Sequence, residues 1–300
     1  MQTYTKINTL YKRFQNLSKV QLPKKDWIRF QNVIKPGDYS NPAFELLTTN
    51  ILLECYSKID GTNSKIAYFP STGEIKVGGK TDKASSQSGQ FEFLQKIADR
   101  ILPSLKEMYP PECAKFAPKG DANGIYYYSL DLDEPVAIKA GKVLVELEEV
   151  PVYIYGVYYG KGIQKCGLRY RDDNDFVVFD IQQQGWWLPK DMRDSICQKL
   201  DLHQVPFIGY LTLDEAEDMV TKGFPTREKA KDPTLLEEGI VARPKIPFKD
   251  TKGNRVIVKL KHCDYVKFKK AFEVGTKEDY IEFEKWYENN VENMEKIVIY

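Results

Sequence analysis

Apolar and polar positions recur along the chain with two different periods. Residues 63–69 (Asn-Ser-Lys-Ile-Ala-Tyr-Phe) and 74–79 (Glu-Ile-Lys-Val-Gly-Gly) predict two strands joined by the turn Pro70-Ser71-Thr72-Gly73. The period then changes. Leu94, Ile97, Ala98, Ile101, Leu102, Leu105 and Met108 fall three and four apart, the signature of one apolar helix face, with a kink expected at Pro103. Residues 111–142, rich in Gly, Asp and Pro, read as irregular. Further strands are expected at 143–149, 151–159, 176–181, 238–243 and 255–261, and a helix at 190–200. Thr212-Leu213-Asp214-Glu215 fits a capping box, so a second helix opens there and stops near Gly223. Residues 264–297 read as helical, with Tyr280, Phe283, Trp286 and Tyr287 forming an apolar face. Strands and helices mingle without regular βαβ alternation. The pattern therefore predicts an α+β fold with antiparallel sheets rather than a doubly wound one.

Composition narrows the classes. A chain of 300 residues with 42% apolar positions supports one large domain, or one domain with a small appendage. No run of about 18 apolar residues is present, and the first residues lack the apolar core of a secretory signal, so no membrane association is expected. The five cysteines (Cys55, Cys113, Cys166, Cys197, Cys263) show no Cys-x-x-Cys spacing. They fit a reduced, intracellular (cytoplasmic) protein without a zinc site. His203 and His262 are the only histidines, which excludes a histidine-rich metal centre. The net charge of +1 points to no polyanion. Its distribution says more: from Arg243 to Lys270 ten basic residues face two acids, and from Glu273 to Lys296 eight acids face three lysines. The basic stretch suits a phosphate backbone or a triphosphate, although a charge run by itself more often marks a solvated lysine-rich surface.

Candidate chemistry starts at Lys58-Ile59-Asp60-Gly61-Thr62-Asn63, which follows the apolar run Ile51, Leu52, Leu53. A lysine placed before an Asp-Gly turn can be held against a nucleotide, and its neutral amine can attack phosphorus. The same residues also make an ordinary turn. Gly78-Gly79-Lys80-Thr81 imitates the end of a P-loop, but Glu74 stands where that loop needs glycine. Downstream, Phe179-Asp180-Ile181 ends the predicted strand that begins at Phe176, and Glu238-Gly239-Ile240-Val241 opens another. In Val256-Ile257-Val258-Lys259-Leu260-Lys261 the two lysines lie two apart, hence on one face of a strand.

Taken in order, these four fragments resemble the covalent nucleotidyltransferase superfamily of ATP-dependent DNA ligases, RNA ligases and mRNA capping guanylyltransferases. Asn63, the run Glu238-Gly239-Ile240-Val241-Ala242-Arg243, and Ile75 to Asp82 with Lys80 resemble the phage-type RNA ligase 2-like branch. Tyr155 to Gln164 resembles the third motif of the family. Two positions depart from its pattern: Val157 replaces an acid that helps hold the nucleotide sugar, and Ser57 replaces a base-touching Glu before the lysine. Glu146, Glu148 and Glu149 are candidate substitutes for the first.

The resemblance implies an ATP-grasp-like nucleotidyltransferase fold at 1–263, with two antiparallel β-sheets flanked by helices, and a helical appendage at 264–300. It implies three steps: Lys58 takes AMP from ATP, AMP passes to an RNA 5′-phosphate, and a 3′-hydroxyl displaces AMP. Lys58, Lys259 and Lys261 are then the catalytic residues. Asp60, Gly61, Asn63, Lys80, Phe179, Asp180, Glu238, Lys259 and Lys261 bind the nucleotide, with Phe179 stacking on adenine. Glu238 and Asp180 take Mg²⁺ or Mn²⁺. The expected partner is RNA with 3′-OH and 5′-phosphate ends, in a nicked duplex or a hairpin, acted on by a monomer from a phage-like source. A capping guanylyltransferase or small DNA ligase stays open at this stage, as does a non-catalytic nucleic-acid-binding relic of the fold. The 39 residues after Lys261 are too few for the OB-fold barrel that DNA ligases and capping enzymes carry.

Overall fold

The structure is a computed structural model that describes residues 4, 7–9, 11–13, 34–36, 51–79, 89–118, 127–128, 137–139, 142–143, 147–183, 185–246 and 255–262. The chain divides into two compact units. One comprises Met1–Thr5, Asp60–Val205 and Ala230–Asp232; the other comprises Lys6–Ile59, Pro206–Lys229 and Pro233–Tyr300. The expected appendage at 264–300 lies outside the described residues.

Two five-stranded sheets carry the architecture. Their strands, in chain order, are β1 (Asn8–Thr9), β2 (Leu53–Ser57), β3 (Thr62–Phe69), β4 (Glu74–Gly79), β5 (Val152–Gly160), β6 (Asn174–Gln183), β7 (Trp186–Trp187), β8 (Phe207–Leu211), β9 (Gly239–Pro244) and β10 (Val258–Lys261). The helices are α1 (Gly89–Met108), the short α2 (Gly167–Tyr170), α3 (Lys190–Lys199) and α4 (Leu213–Lys222).

The first unit holds the sheet β7-β6-β5-β3-β4, antiparallel throughout. Ile66, Tyr68, Val152, Ile154, Phe176, Val178 and Ile181 pack with Leu94, Ala98, Ile101 and Leu105 of α1 and with Ile196 and Cys197 of α3. Burial of these alternating strand positions against the helix face read from the sequence supplies the main driving force for this unit. Helix α1 runs through Pro103 without ending there.

Register breaks once inside this sheet. Tyr155 pairs with Asp180 and Gly156 with Val178, so Phe179 is an extra residue with no partner on β5. Such a bulge bends the strand and re-aims its side chains. It also shifts the alternation. Val178 and Ile181 both face the core, three apart, and Asp180 is thrown to the opposite face. The sequence pattern ended this strand at Ile181; it continues to Gln183 because β7 pairs with Gln182 and Gln183.

The second unit holds the sheet β1-β10-β9-β2-β8. All its pairs are antiparallel except β1 with β10, an addition at the edge that the sequence pattern did not indicate. Leu53, Cys55, Ile240, Ala242, Val258 and Leu260 pack against Leu213, Ala216 and Val220 of α4. The capping box of α4 forms as expected: the Thr212 hydroxyl accepts from the Glu215 N–H, the Glu215 carboxylate accepts from the Thr212 N–H, and Gly223 closes the helix. The stretch read as irregular, 111–142, contains short strands among its described residues, at Phe116–Pro118, Tyr127–Tyr128 and Ala137–Lys139.

Candidate active site

In the second unit, strand order places three charged residues side by side. The central strand β9 pairs with β2 on one side, Ile240 opposite Ser57, and with β10 on the other, Gly239 opposite Lys261. The Lys58 N–H donates to Gly239 O at 3.0 Å, and the His262 N–H donates to Glu238 O at 2.9 Å, so the backbone fixes both ends of the arrangement. Gly239 has to be glycine: a Cβ there would lie 1.9 Å from Leu260 O. The Glu238 carboxylate then sits between two ammonium groups. Its Oε2 accepts from Lys58 Nζ, and its Oε1 lies 2.8 Å from Lys261 Nζ. Burial pushes the Glu238 carboxyl up, but the Lys58 charge and the hydrogen bonds from Lys261 and Lys58 outweigh it and hold the carboxyl below its ordinary value. Lys259, opposite Val241, lies two residues from Lys261 on the same face of β10. Of the predicted catalytic and metal-binding residues, the structure thus brings Lys58, Glu238 and Lys261 into direct contact.

The first unit holds the other predicted residues. Asp60 and Gly61 lead into β3; the Asp60 N–H donates to the Tyr170 hydroxyl at 3.4 Å. A Cβ on Gly61 would meet Val157 Cγ1 at 2.5 Å and Tyr158 O at 2.6 Å, so close packing, and not a positive φ, requires glycine there. Asn63 lies opposite Val157, the position where the family pattern has an acid. Glu149 does not stand in for that acid: it is on the short strand Leu147–Glu149, where its carboxylate accepts from the N–H and hydroxyl of Ser71. Glu148 is exposed beside it. Glu146 and the candidate nucleotide ligand Lys80 lie outside the described residues.

Phe179 and Asp180 share an aromatic setting. Asp180 is 1% exposed and its Oδ2 accepts from the Tyr4 hydroxyl at 2.5 Å. The Tyr4 ring meets Phe179 edge-on at 5.0 Å and lies 4.9 Å from Tyr155 and 5.4 Å from Trp187. Tyr4 was missed from the sequence because a lone tyrosine near the start of a chain carries no periodic or spacing signal. Lys65 was missed as well. It is 1% exposed, opposite Tyr155, which is itself opposite Asp180, so Lys65, Tyr155 and Asp180 form one row across β3, β5 and β6.

A profile described as RNA ligase matches residues 53–261, more than half of the chain and the span that contains every residue named above except Tyr4 and His262. The chain belongs to the RNA ligase family. No curated protein sequence matches it. Among solved structures, the RNA ligase of Naegleria gruberi with PPi is similar at a TM-score of 0.50 and 15% identity, over 89% of this chain and 57% of that one. An apo mutant of the same Naegleria gruberi ligase gives 0.48 and 16%, over 90% and 59%. At such identity the first likeness concerns the fold: two antiparallel sheets with a few helices in a nucleotidyltransferase arrangement. This RNA ligase family chain spans less than two thirds of the length of either solved protein.

The family implies a divalent metal, and the donor chemistry of the second unit fits one. Magnesium is commonly held by one or two carboxylates, completed by substrate phosphate and water. Glu238 is an ionised, largely buried carboxylate of that kind. Among the described residues no group of three or more His, Cys, Asp or Glu that could hold a metal ion occurs. No helix among them is long and apolar enough to cross a membrane.

Proposed function

We propose that this protein is an ATP-dependent RNA ligase that joins 3′-OH and 5′-phosphate ends, in a nicked duplex or hairpin, through a covalent lysyl-AMP. The observation that supports this reading most is the contact of Lys58 with a carboxylate that Lys261 also grips, in a chain of the RNA ligase family. Lys58 Nζ, once it has lost its proton to solvent, attacks the α-phosphorus of ATP. A P–N bond forms, the bond to the bridging oxygen breaks, and pyrophosphate leaves. A 5′-phosphate oxygen of RNA then displaces Lys58 and takes the AMP. Finally a 3′-hydroxyl attacks that 5′-phosphate, AMP departs, and the strand is sealed.

The roles proposed for individual residues rest on the family pattern and, for Lys58, Glu238 and Lys261, also on their contacts. Glu238 anchors Lys58 and, with Asp180, is the proposed metal carboxylate. Bound Mg²⁺ or Mn²⁺ supplies Lewis-acid polarisation of the phosphate. Lys259 and Lys261 supply fixed positive charge against the negative charge that builds on the α-phosphate in the transition state. Phe179 offers its ring to adenine, and Asp60, Gly61, Asn63 and Lys80 complete nucleotide contact. The protein acts as a monomer inside the cell. Family membership favours RNA over the substrates of a capping guanylyltransferase or DNA ligase.

Sealing assays on all-RNA, all-DNA and mixed nicks test the substrate class. The reading expects joining with an RNA strand bearing the 3′-OH, and joining of DNA alone would overturn it. Label from GTP with none from ATP would favour a capping enzyme. No label from either nucleotide would leave a binding module.

A further inference from the structure

The bulge at Phe179 leaves a main-chain problem that one buried side chain solves. Phe179 has no partner on β5, so the regular register offers its carbonyl no matching residue there, and a carbonyl shielded from water without a donor is costly. Arg193, on α3, donates to it from Nη1 at 3.1 Å. The Arg193 side chain is only 2% exposed. Its Nε reaches Gln204 Oε1 at 3.3 Å, and its Nη2 reaches Asp194 Oδ1 at 3.0 Å. The segment that carries Gln204 is fastened to the residue just before the bulge: the Val178 N–H donates to His203 O at 2.8 Å, and the Val205 N–H donates to Val178 O at 3.0 Å.

Burying a guanidinium is expensive, and a side chain that only filled space between α3 and β6 would be better served by an apolar residue. What arginine adds is a planar fork of donors aimed at fixed acceptors, with charge-assisted strength. Here the fork ties α3, the 203–205 segment and the Phe179 carbonyl into one unit. The peptide that it clamps carries the ring proposed to stack on the base.

We infer that Arg193 is a positioning residue that fixes the Phe179 peptide in its bulge and so orients the ring for the nucleotide base. The inference deepens the proposed function and rests on Phe179 being the base platform. Arg193 acts through Phe179 and touches no reacting atom. Loss of Arg193 therefore weakens nucleotide binding and spares the chemical step.

The test measures the initial rate of lysyl-AMP formation against ATP concentration for the full chain and for Arg193→Met, Arg193→Lys, Phe179→Ala and the double variant Arg193→Met with Phe179→Ala. Losing one charge-assisted hydrogen bond corresponds to a rise in KM of about tenfold. The maximal rate is expected to stay near that of the parent. Arg193→Lys restores part of the loss, since it keeps one charged donor. The double variant has a KM no higher than Phe179→Ala alone, because the two residues act on one contact. An unchanged KM in Arg193→Met beside a raised KM in Phe179→Ala overturns the inference and leaves the base platform standing. Fully additive effects overturn it too. An unchanged KM in Phe179→Ala overturns both. If Arg193→Met does not fold, Arg193→Lys decides: a raised KM with parental circular dichroism supports the inference, and a parental KM overturns it.

Discussion

Lys261 Nζ stands 2.8 Å from Glu238 Oε1, and the other oxygen of that carboxylate accepts from Lys58. The strand order β10-β9-β2 makes this possible: the acid just before the central strand is flanked by the lysine just after β2 and by the last residue of β10. A carboxylate held in this way can orient a nucleophilic amine and keep a second cation close by for a phosphate.

Lys261→Met tests that second cation. Removing a preorganised group that faces transition-state charge costs on the order of 100-fold or more in rate. Lysyl-AMP formation should fall by about that factor while the melting temperature shifts little, because Lys261 is partly exposed. Quench-flow with labelled ATP and a thermal melt give the two numbers. A rate within a few-fold of the parent would remove Lys261 from the chemistry.

Two adjacent carboxyls respond to pH with opposite sign. Glu238 is held below its ordinary value, so the stability it contributes is present above that value and is lost as pH falls through the lowered one. Glu237 is pushed up by burial, which the Ser57, Arg227 and Thr226 hydrogen-bonding groups only partly offset. The Ser57 hydroxyl lies near enough to favour the Glu237 anion, yet neither Ser57 Oγ nor Glu237 Oε1 meets a partner at hydrogen-bond geometry. The Glu237 contribution is present below its ordinary value and is lost as pH rises through the raised one. Denaturant titrations should show Glu238→Gln losing stability relative to the parent mainly at neutral pH. Glu237→Gln should compare better with the parent at neutral pH than at pH 4.

Gly61→Ala probes the packing beneath the motif. The new methyl group would lie 2.5 Å from Val157 Cγ1 and 2.6 Å from Tyr158 O. Overpacking of this kind costs about 1–3 kcal/mol. The companion change Val157→Ala should recover part of the loss and not all, since the Tyr158 carbonyl stays in place. Chemical denaturation of the three variants measures it. Full recovery would show that the backbone has room to yield.

The buried thiols should be inert. Burial pushes Cys55 and Cys197 up to about 12. Only the thiolate is nucleophilic. Mild alkylation of the native protein should therefore label Cys113 and Cys166 well before Cys55 and Cys197, as read by peptide mass mapping. Early labelling of Cys197 would contradict the packing of α3 against the first sheet.

Periodicity made much of the fold legible. The apolar face of α1, the strand pair β3 and β4, and the capping box of α4 are local features, fixed by residues within a few positions of one another. Motif order along the chain singled out Lys58, Glu238 and Lys261, and the structure brings these three into contact. What stayed hidden was non-local. Tyr4 meets Asp180 across 176 positions of sequence, and Arg193 meets Phe179 only because a bulge frees one carbonyl. No pattern of apolar and polar positions announces a bulge, since the run from Phe176 to Ile181 reads as unbroken strand. The edge pairing of Asn8–Thr9 with β10 was equally invisible in so short a segment.

Intact-mass spectrometry after incubation with ATP and magnesium tests the central claim most directly. The protein should gain the mass of one adenylate, the label should map to Lys58, and Lys58→Ala should gain nothing. An unmodified parent with ATP and with GTP, or an adduct that persists in Lys58→Ala, would contradict the account.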